Sequence, residues 1–377
     1  MSNTPLWSSP QPARRSLRGT AQADLCVVGL GGSGLAAVRA GLEAGMRVIG
    51  LDASQVAAGA AGRNGGFLLA GPAWFHHDAR ERVGRDLAAR MYAETLNELA
   101  RMEHQPSVRR VGSLRISGEE NEADDVERHF AALREDEIEA ERYKGPEGRG
   151  ILVPSDAVFD PFAHCVWQAS DVVRGGAQLF ERSPVTRVEA GVVTTRDGAV
   201  HAPRIVVAVD GGLAALVPSL ANAVSTWRLQ MLGTAPVGRP LSRHAVYSRF
   251  GYDYWQQLPD GRVTLGGGRD VGGEAERDAA LCTTIEVQSH LDRVLREQIG
   301  TEAEVTHRWA GRVCYTPDGM PVCHEFAVGA IAIGAYCGTG NIIGRILGRE
   351  VIQRWHGGPS PFLEALSLAR SDQTPTN

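Results

Sequence analysis

The chain has 377 residues, of which 43% are apolar and 22% charged, and its formal net charge is −5. That length exceeds what one hydrophobic core organises and asks for two packed domains. The missing Lys/Arg excess excludes a nucleic-acid or anionic-membrane partner. No stretch approaches the ~18 apolar residues of a membrane span. Six scattered cysteines without ligand spacing read as reduced thiols of a cytoplasmic protein with no metal site.

Residues 1–20 are polar and carry Pro5, Pro10 and Pro12, which reads as a loose N-terminal arm. From Asp24 to Leu51 the order is strand, glycine turn, helix, strand. Leu25-Cys26-Val27-Val28 is a continuous apolar run, as a parallel strand buried on both faces requires. Gly32 to Ala44 is rich in helix formers, and Arg47 to Leu51 is the second strand. Between the first strand and the helix, Gly29, Gly31 and Gly34 form G-x-G-x-x-G, with Gly32 and Ser33 inside it. Such a turn lets the backbone and a helix N-terminus approach a diphosphate. Asp52, followed by Ala53, ends the second strand, where a carboxylate accepts ribose hydroxyls. This unit establishes a dinucleotide but does not separate FAD from NAD.

A small-residue loop follows, ending Gly62-Arg63-Asn64-Gly65-Gly66, and then His76-His77, which reads as a surface pair or as the rim of a substrate mouth. Residues 84–105 and 121–141 have the period of amphipathic helices, with a strand over 108–116 between them. The acidic run Glu119, Glu120, Glu122, Asp124 and Asp125 reads as a solvated helix face. Asp160-Pro161-Phe162 opens a helix, and strands follow at 177–180, 186–193 and 199–209, with Arg196-Asp197-Gly198 as the turn between the last two. A strand-rich section covers 227–268, a helix 284–299, strands 304–315 and 328–335, and a closing helix 342–355. The tail after His356 reads as poorly ordered.

In order along the chain, several segments resemble the D-amino-acid oxidase-like FAD oxidoreductases, a superfamily that includes glycine, sarcosine and γ-glutamylputrescine oxidases. They are Asp24 to Gly66, Asp160-Pro161, Gly175-Gly176-Ala177, Ile205 to Gly212, Tyr254-Trp255, Gly266 to Asp270, Trp309-Ala310-Gly311, Thr316 to Pro321 and Gly338-Thr339-Gly340. The resemblance implies an α/β fold: a Rossmann-like FAD-binding domain with a discontinuous α+β substrate domain built on an antiparallel sheet. The expected division is 21–83, 150–225 and 305–356 for FAD, 84–149 and 226–304 for substrate, and 357–377 as a tail. It implies non-covalent FAD held by Gly29, Gly31, Gly32, Ser33, Gly34, Asp52, Ala53, Arg63, Asn64, Gly65, Gly66, Val185, Gly311, Gly338, Thr339, Gly340 and Asn341. The implied reaction is oxidation of an amine or amino-acid C–N bond, with oxygen or another molecule as electron acceptor.

The substrate side departs from the family. Where related glycine oxidases place a carboxylate-binding arginine this chain has Val313, and where they place a second it has Gly338. Arg312 and Arg249 are the expected substitutes, and Tyr254 and Tyr315 the expected pocket walls, since aromatic faces attract amines. Lys144 is the only lysine, so the lysine that aids oxygen in sarcosine oxidase-like members is missing. A longer amine, an N-substituted amino acid or a diamine derivative stays open. So do an NAD-dependent dehydrogenase and a non-catalytic FAD-containing assembly protein.

Overall fold

The computed structural model describes residues 3–118, 120–278 and 280–371. Two large sheets organise them. The first has six strands in the order Gln178–Phe180, Val48–Leu51, Leu25–Val28, Arg204–Val207, Ala330–Gly334 and Val322–Ala327. It is parallel except for the last hairpin. Leu25 and Val27 pack into the core under the helices, while Cys26 and Val28 face a second core shared with Val193 and Val200 of a four-stranded sheet. Burial on both faces is why this strand is apolar at every position.

The Gly32–Glu43 and Ile343–Trp355 helices cross closely: a Cβ on Gly348 would lie 2.2 Å from the Ser33 carbonyl oxygen. This contact sets the two glycine turns side by side. The Pro161–Arg174 helix forms as expected, with the Asp160 side chain accepting from the Ala163 N–H at 2.8 Å as its N-cap.

The second large sheet has eight strands: Val305–Tyr315, Ser225–Thr234, Val263–Gly267, Asp253–Gln257, Ala245–Ser248, Ser113–Ile116, Gly148–Val153 and Glu141–Gly145. It is antiparallel apart from the Ala245–Ser248/Ser113–Ile116 pair. Strand alternation gives it two distinct faces. Leu114, Leu232, Val246, Trp255, Val263 and Leu265 form a core with Val287 and Leu291 of the Ile285–Arg293 helix. The opposite face carries Arg115, Tyr247, Tyr254, Met231, Trp309 and Tyr315, and it meets the glycine loops.

Several expectations are corrected. The N-terminal arm is seated, not loose: Leu6, Trp7 and Leu17 are buried, and the Trp7 indole donates to the Asn64 carbonyl at 2.9 Å. The tail folds into a Pro361–Ser371 helix whose Phe362, Leu363 and Leu366 are buried, while residues 372–377 lie outside the described residues. The strands expected at 186–193 and 199–209 are four: Val185–Glu189, Val192–Thr195, Gly198–His201 and Arg204–Val207. Gly191, at φ +78°, turns the first pair, and the last strand joins the other sheet. The Glu120–Glu135 helix stops short of 141, where a hairpin begins. The Val305–Tyr315 strand, assigned above to the FAD-binding part, is an edge of the eight-stranded sheet.

His76 and His77 are buried, not on the surface. Glu122 is 2% exposed, so the acidic run is not uniformly solvated. It lies on one helical stripe with the buried Val126, His129 and Leu133 and accepts N–H bonds from Gly118 and from Arg249 and Phe250. Glu119 lies outside the described residues.

Candidate active site

The G-x-G-x-x-G turn has the shape that a diphosphate needs. Gly29 sits at φ +94°, and a Cβ there would lie 2.4 Å from the Ala208 carbonyl oxygen. A Cβ on Gly34 would lie 1.8 Å from the Gly29 oxygen, so only glycine lets the helix start this close to the strand. Beside Gly32 the space is open. The helix has no side-chain cap and no acid in its first turn, so the N–H groups of that turn point outward for an anion. Asp52 is anchored by the Leu30 N–H at 2.9 Å and the Ser54 N–H at 2.8 Å. Burial pushes its carboxyl above the usual range, and those two donors pull it back. Ala53 is exposed beside it. The Ser183 N–H donates to the Asp52 carbonyl at 2.8 Å, which leads the chain past Asp52 to half-buried Val185.

The second cradle is built from three segments. The Asn64 and Asn341 amides bond each other, and Asn341 Nδ2 also donates to the Phe67 carbonyl at 2.8 Å. Arg63 Nε donates to the Ala310 carbonyl at 2.7 Å and its Nη2 to the Asn3 carbonyl at 2.8 Å. Trp309 Nε1 returns a bond to the Arg63 carbonyl. Arg63 therefore ties the loop to the Gly311 strand and to the N-terminal arm. Thr339 Oγ1 donates to the Tyr336 carbonyl, and Gly340 lies against the Tyr336 ring. Ala335, Cys337 and Gly338 all have positive φ, so the chain turns sharply before the helix. Asp210 holds this turn through the Ala335 and Cys314 N–H groups, and burial pushes its carboxyl up to about 6.

Between the cradles stands a wall of tyrosines. Tyr254 lies against Gly65, Tyr315 points its hydroxyl at Gly338, and Tyr247 stacks on Tyr254 at 6.4 Å. Burial raises all three phenols, so they stay neutral. Tyr254 and Tyr315 thus share one wall, but Arg312 does not join them. Three residues from Tyr315 on a regular strand, it projects from the other face, where its Cβ meets Gly211. Arg249 is no substitute either, because Asp253 and Asp270 both pair with it.

The arginine at the wall is Arg269, which sequence reasoning did not select. Its guanidinium lies 4.6 Å from the Tyr315 ring centre, 5.2 Å from Trp227 and 5.3 Å from Tyr252. No carboxylate among the described residues forms an ion pair with it. Tyr247 and Trp227 were missed as well. Both occupy the same alternate positions as Tyr254 and Tyr315, but only the strand register reveals that.

A glycine-turn βαβ unit, a second cradle at a helix start and an aromatic wall on a facing antiparallel sheet define a flavin-dependent oxidoreductase. The chain belongs to the DAO family of FAD-dependent oxidoreductases, whose model matches residues 24–354. Solved structures share the fold. L-proline dehydrogenase from P. horikoshii superposes with a TM-score of 0.75 at 16% identity, covering 95% of this chain and 99% of that one. Glycine oxidase from Geobacillus kaustophilus gives 0.71 at 18%, over 95% and 97%. A probable oxidoreductase, OrdL, of Rhizobium meliloti (strain 1021) is 27% identical over 211 residues, 53% of this chain and 47% of that protein. The chain spans about half the length of that curated relative. Among the described residues no group of side chains is arranged to hold a metal ion, and no helix is long and apolar enough to cross a membrane.

Proposed function

We propose that the protein oxidises the C–N bond of an amine bearing a carboxylate, and that Arg269 holds that carboxylate. The observation that carries this reading is a guanidinium set into the tyrosine wall with no acidic partner among the described residues. A fork of N–H donors in that position is suited to two carboxylate oxygens. The same charge opposes a diamine, whose second cation would face Arg269. FAD, when bound, supplies the acceptor for a hydride from the carbon beside nitrogen and passes the electrons to oxygen or another acceptor. Gly29 to Gly34 and Asp52 would hold its diphosphate and ribose, and Arg63 to Gly66 with Gly338 to Asn341 would close over its ring. Tyr254 and Tyr315 orient the amine and exclude water, and the product imine then hydrolyses to carbonyl compound and free amine.

Non-covalent attachment is supported by the thiols. Cys314 is buried and its thiol is pushed up to about 12, and Cys337 accepts from the Thr316 N–H. Six unpaired cysteines support a reducing, cytoplasmic setting. The test is anaerobic titration of the yellow holoprotein with amino acids, N-alkyl amino acids and their decarboxylated counterparts. Bleaching by the acids and not by the plain amines is expected. Failure of every carboxylated amine, in a protein that dithionite reduces, refutes the reading.

A further inference from the structure

A second arginine on the same face has no use in the scheme above. Arg115 stands on the Ser113–Ile116 strand, paired in register with Tyr247. Its guanidinium lies 5.5 Å from the Tyr247 ring centre and 5.9 Å from that of Phe75. Its Nε is buried and makes no hydrogen bond. The nearby Asp156 feels its charge but is otherwise engaged: one oxygen accepts from the Ala70 N–H at 2.8 Å, the other from Ser113 Oγ at 2.5 Å.

Two more donors near Arg115 are orphaned. His129 is stacked on Phe75 at 4.8 Å and is 3% exposed. The His76 N–H donates to His129 Nδ1 at 2.9 Å, so in the neutral ring the hydrogen is on Nε2, which is buried without a partner. Tyr92, 2% exposed, has a buried hydroxyl with no partner. Arg115's charge reaches both groups. A buried donor without an acceptor costs about 1–3 kcal/mol, and three in one neighbourhood call for an acceptor that arrives from outside.

We propose that Arg115, with His129 and Tyr92, forms a second acid-binding niche, so that the substrate is an amine carrying two carboxylates. Arg269 takes one carboxylate and Arg115 the other, across the tyrosine wall. From the Arg115 strand to the strand preceding Arg269 is three strand spacings, roughly 14 Å at the backbone, and both side chains reach inward from there. Exposed Phe250 lies 6.5 Å from Phe75 and marks the rim through which the distal carboxylate enters.

This inference rests on the reading of Arg269 above, and a binding assay separates the two. The holoprotein is titrated with the straight-chain diacids from malonate to adipate and with the monoamide of each, reading perturbation of the bound flavin's absorbance without turnover. At least one diacid is expected to bind tenfold or more tighter than its monoamide. Arg115→Met should bring that diacid down to the monoamide's affinity, Arg115→Lys should restore part of the difference, and Arg269→Met should weaken both ligands. Unchanged melting temperatures confirm that the variants fold. No preference for any diacid, or a preference that survives Arg115→Met, overturns the niche. A preference lost in Arg115→Met, in a protein that no carboxylated amine reduces, leaves the niche standing and overturns the oxidase reading.

Discussion

Replacing Trp7 tests whether the N-terminal arm supports the cradle proposed to hold FAD. Trp7 is 7% exposed and joins the main core, and its indole N–H bonds the carbonyl of Asn64, whose amide in turn bonds Asn341. Truncating a buried tryptophan costs about 3–5 kcal/mol, cavity included. The lost hydrogen bond accounts for about 1 kcal/mol of that. Spread over the unfolding entropy of a chain this long, a loss of about 4 kcal/mol lowers the melting temperature by about 5 °C. Trp7→Phe keeps an aromatic ring but loses the donor and part of the indole's volume, so it should lose less than Trp7→Ala, about 2 kcal/mol. The assay is thermal unfolding by circular dichroism, with flavin fluorescence recording release in the same scan. Because Asn64 links the arm to the second cradle, flavin release should fall along with unfolding in Trp7→Ala. A Trp7→Ala protein that melts within 1 °C of the parent and keeps its flavin would show that the arm only rests on the surface.

Gly34→Ala puts a Cβ 1.8 Å from the Gly29 oxygen, and helix and turn must separate. It should cost about 3 kcal/mol or more of FAD binding, roughly a hundredfold. The variant should purify colourless with its helical signal intact, and a fully yellow variant would contradict the cradle. Glu350 is buried and its carboxyl is pushed up to about 7, although it accepts N–H bonds from Phe362 and Leu363 at the start of the Pro361–Ser371 helix. Folding therefore takes up a proton there. The stability this contributes is present below the unfolded value near 4.5 and is lost as pH rises through about 7. Glu350→Gln should accordingly gain on the parent between pH 5 and pH 8 by up to about 3 kcal/mol, measured by urea unfolding, and a gap that does not change with pH would refute the argument.

What the sequence disclosed and what it hid follow from how far each constraint reaches along the chain. Gly29, Gly34 and Asp52 are legible because turn, helix and strand lie within one short segment, and each residue type answers to a local backbone demand. Arg269 and Arg115 were illegible for the opposite reason. They meet the tyrosines only through register across the eight-stranded sheet, and nothing local distinguishes them from surface arginines. Arg312 stands one residue from Val313, the position of the family's carboxylate-binding arginine, and a one-residue shift along a strand turns the side chain to the opposite face. Trp7 depends on Asn64, far along the chain. Glu122 could have been found: it shares the helical stripe of Val126 and Leu133, and an acid on an apolar stripe signals a buried acceptor.

The chemistry of the wall also explains how it can work without a basic side chain. A C–H bond beside nitrogen gives up hydride only when the nitrogen lone pair is free, so the ammonium form must lose its proton. Like charge disfavours a cation, and the wall presents two guanidinium groups with phenols that burial keeps neutral. On the substrate reading proposed above, the acid groups would be drawn to Arg269 and Arg115, and the guanidinium field would favour loss of the ammonium proton to water as the amine enters. In that proposal the arginines would both select the substrate and favour its neutral nitrogen, and Tyr254 and Tyr315 would orient it.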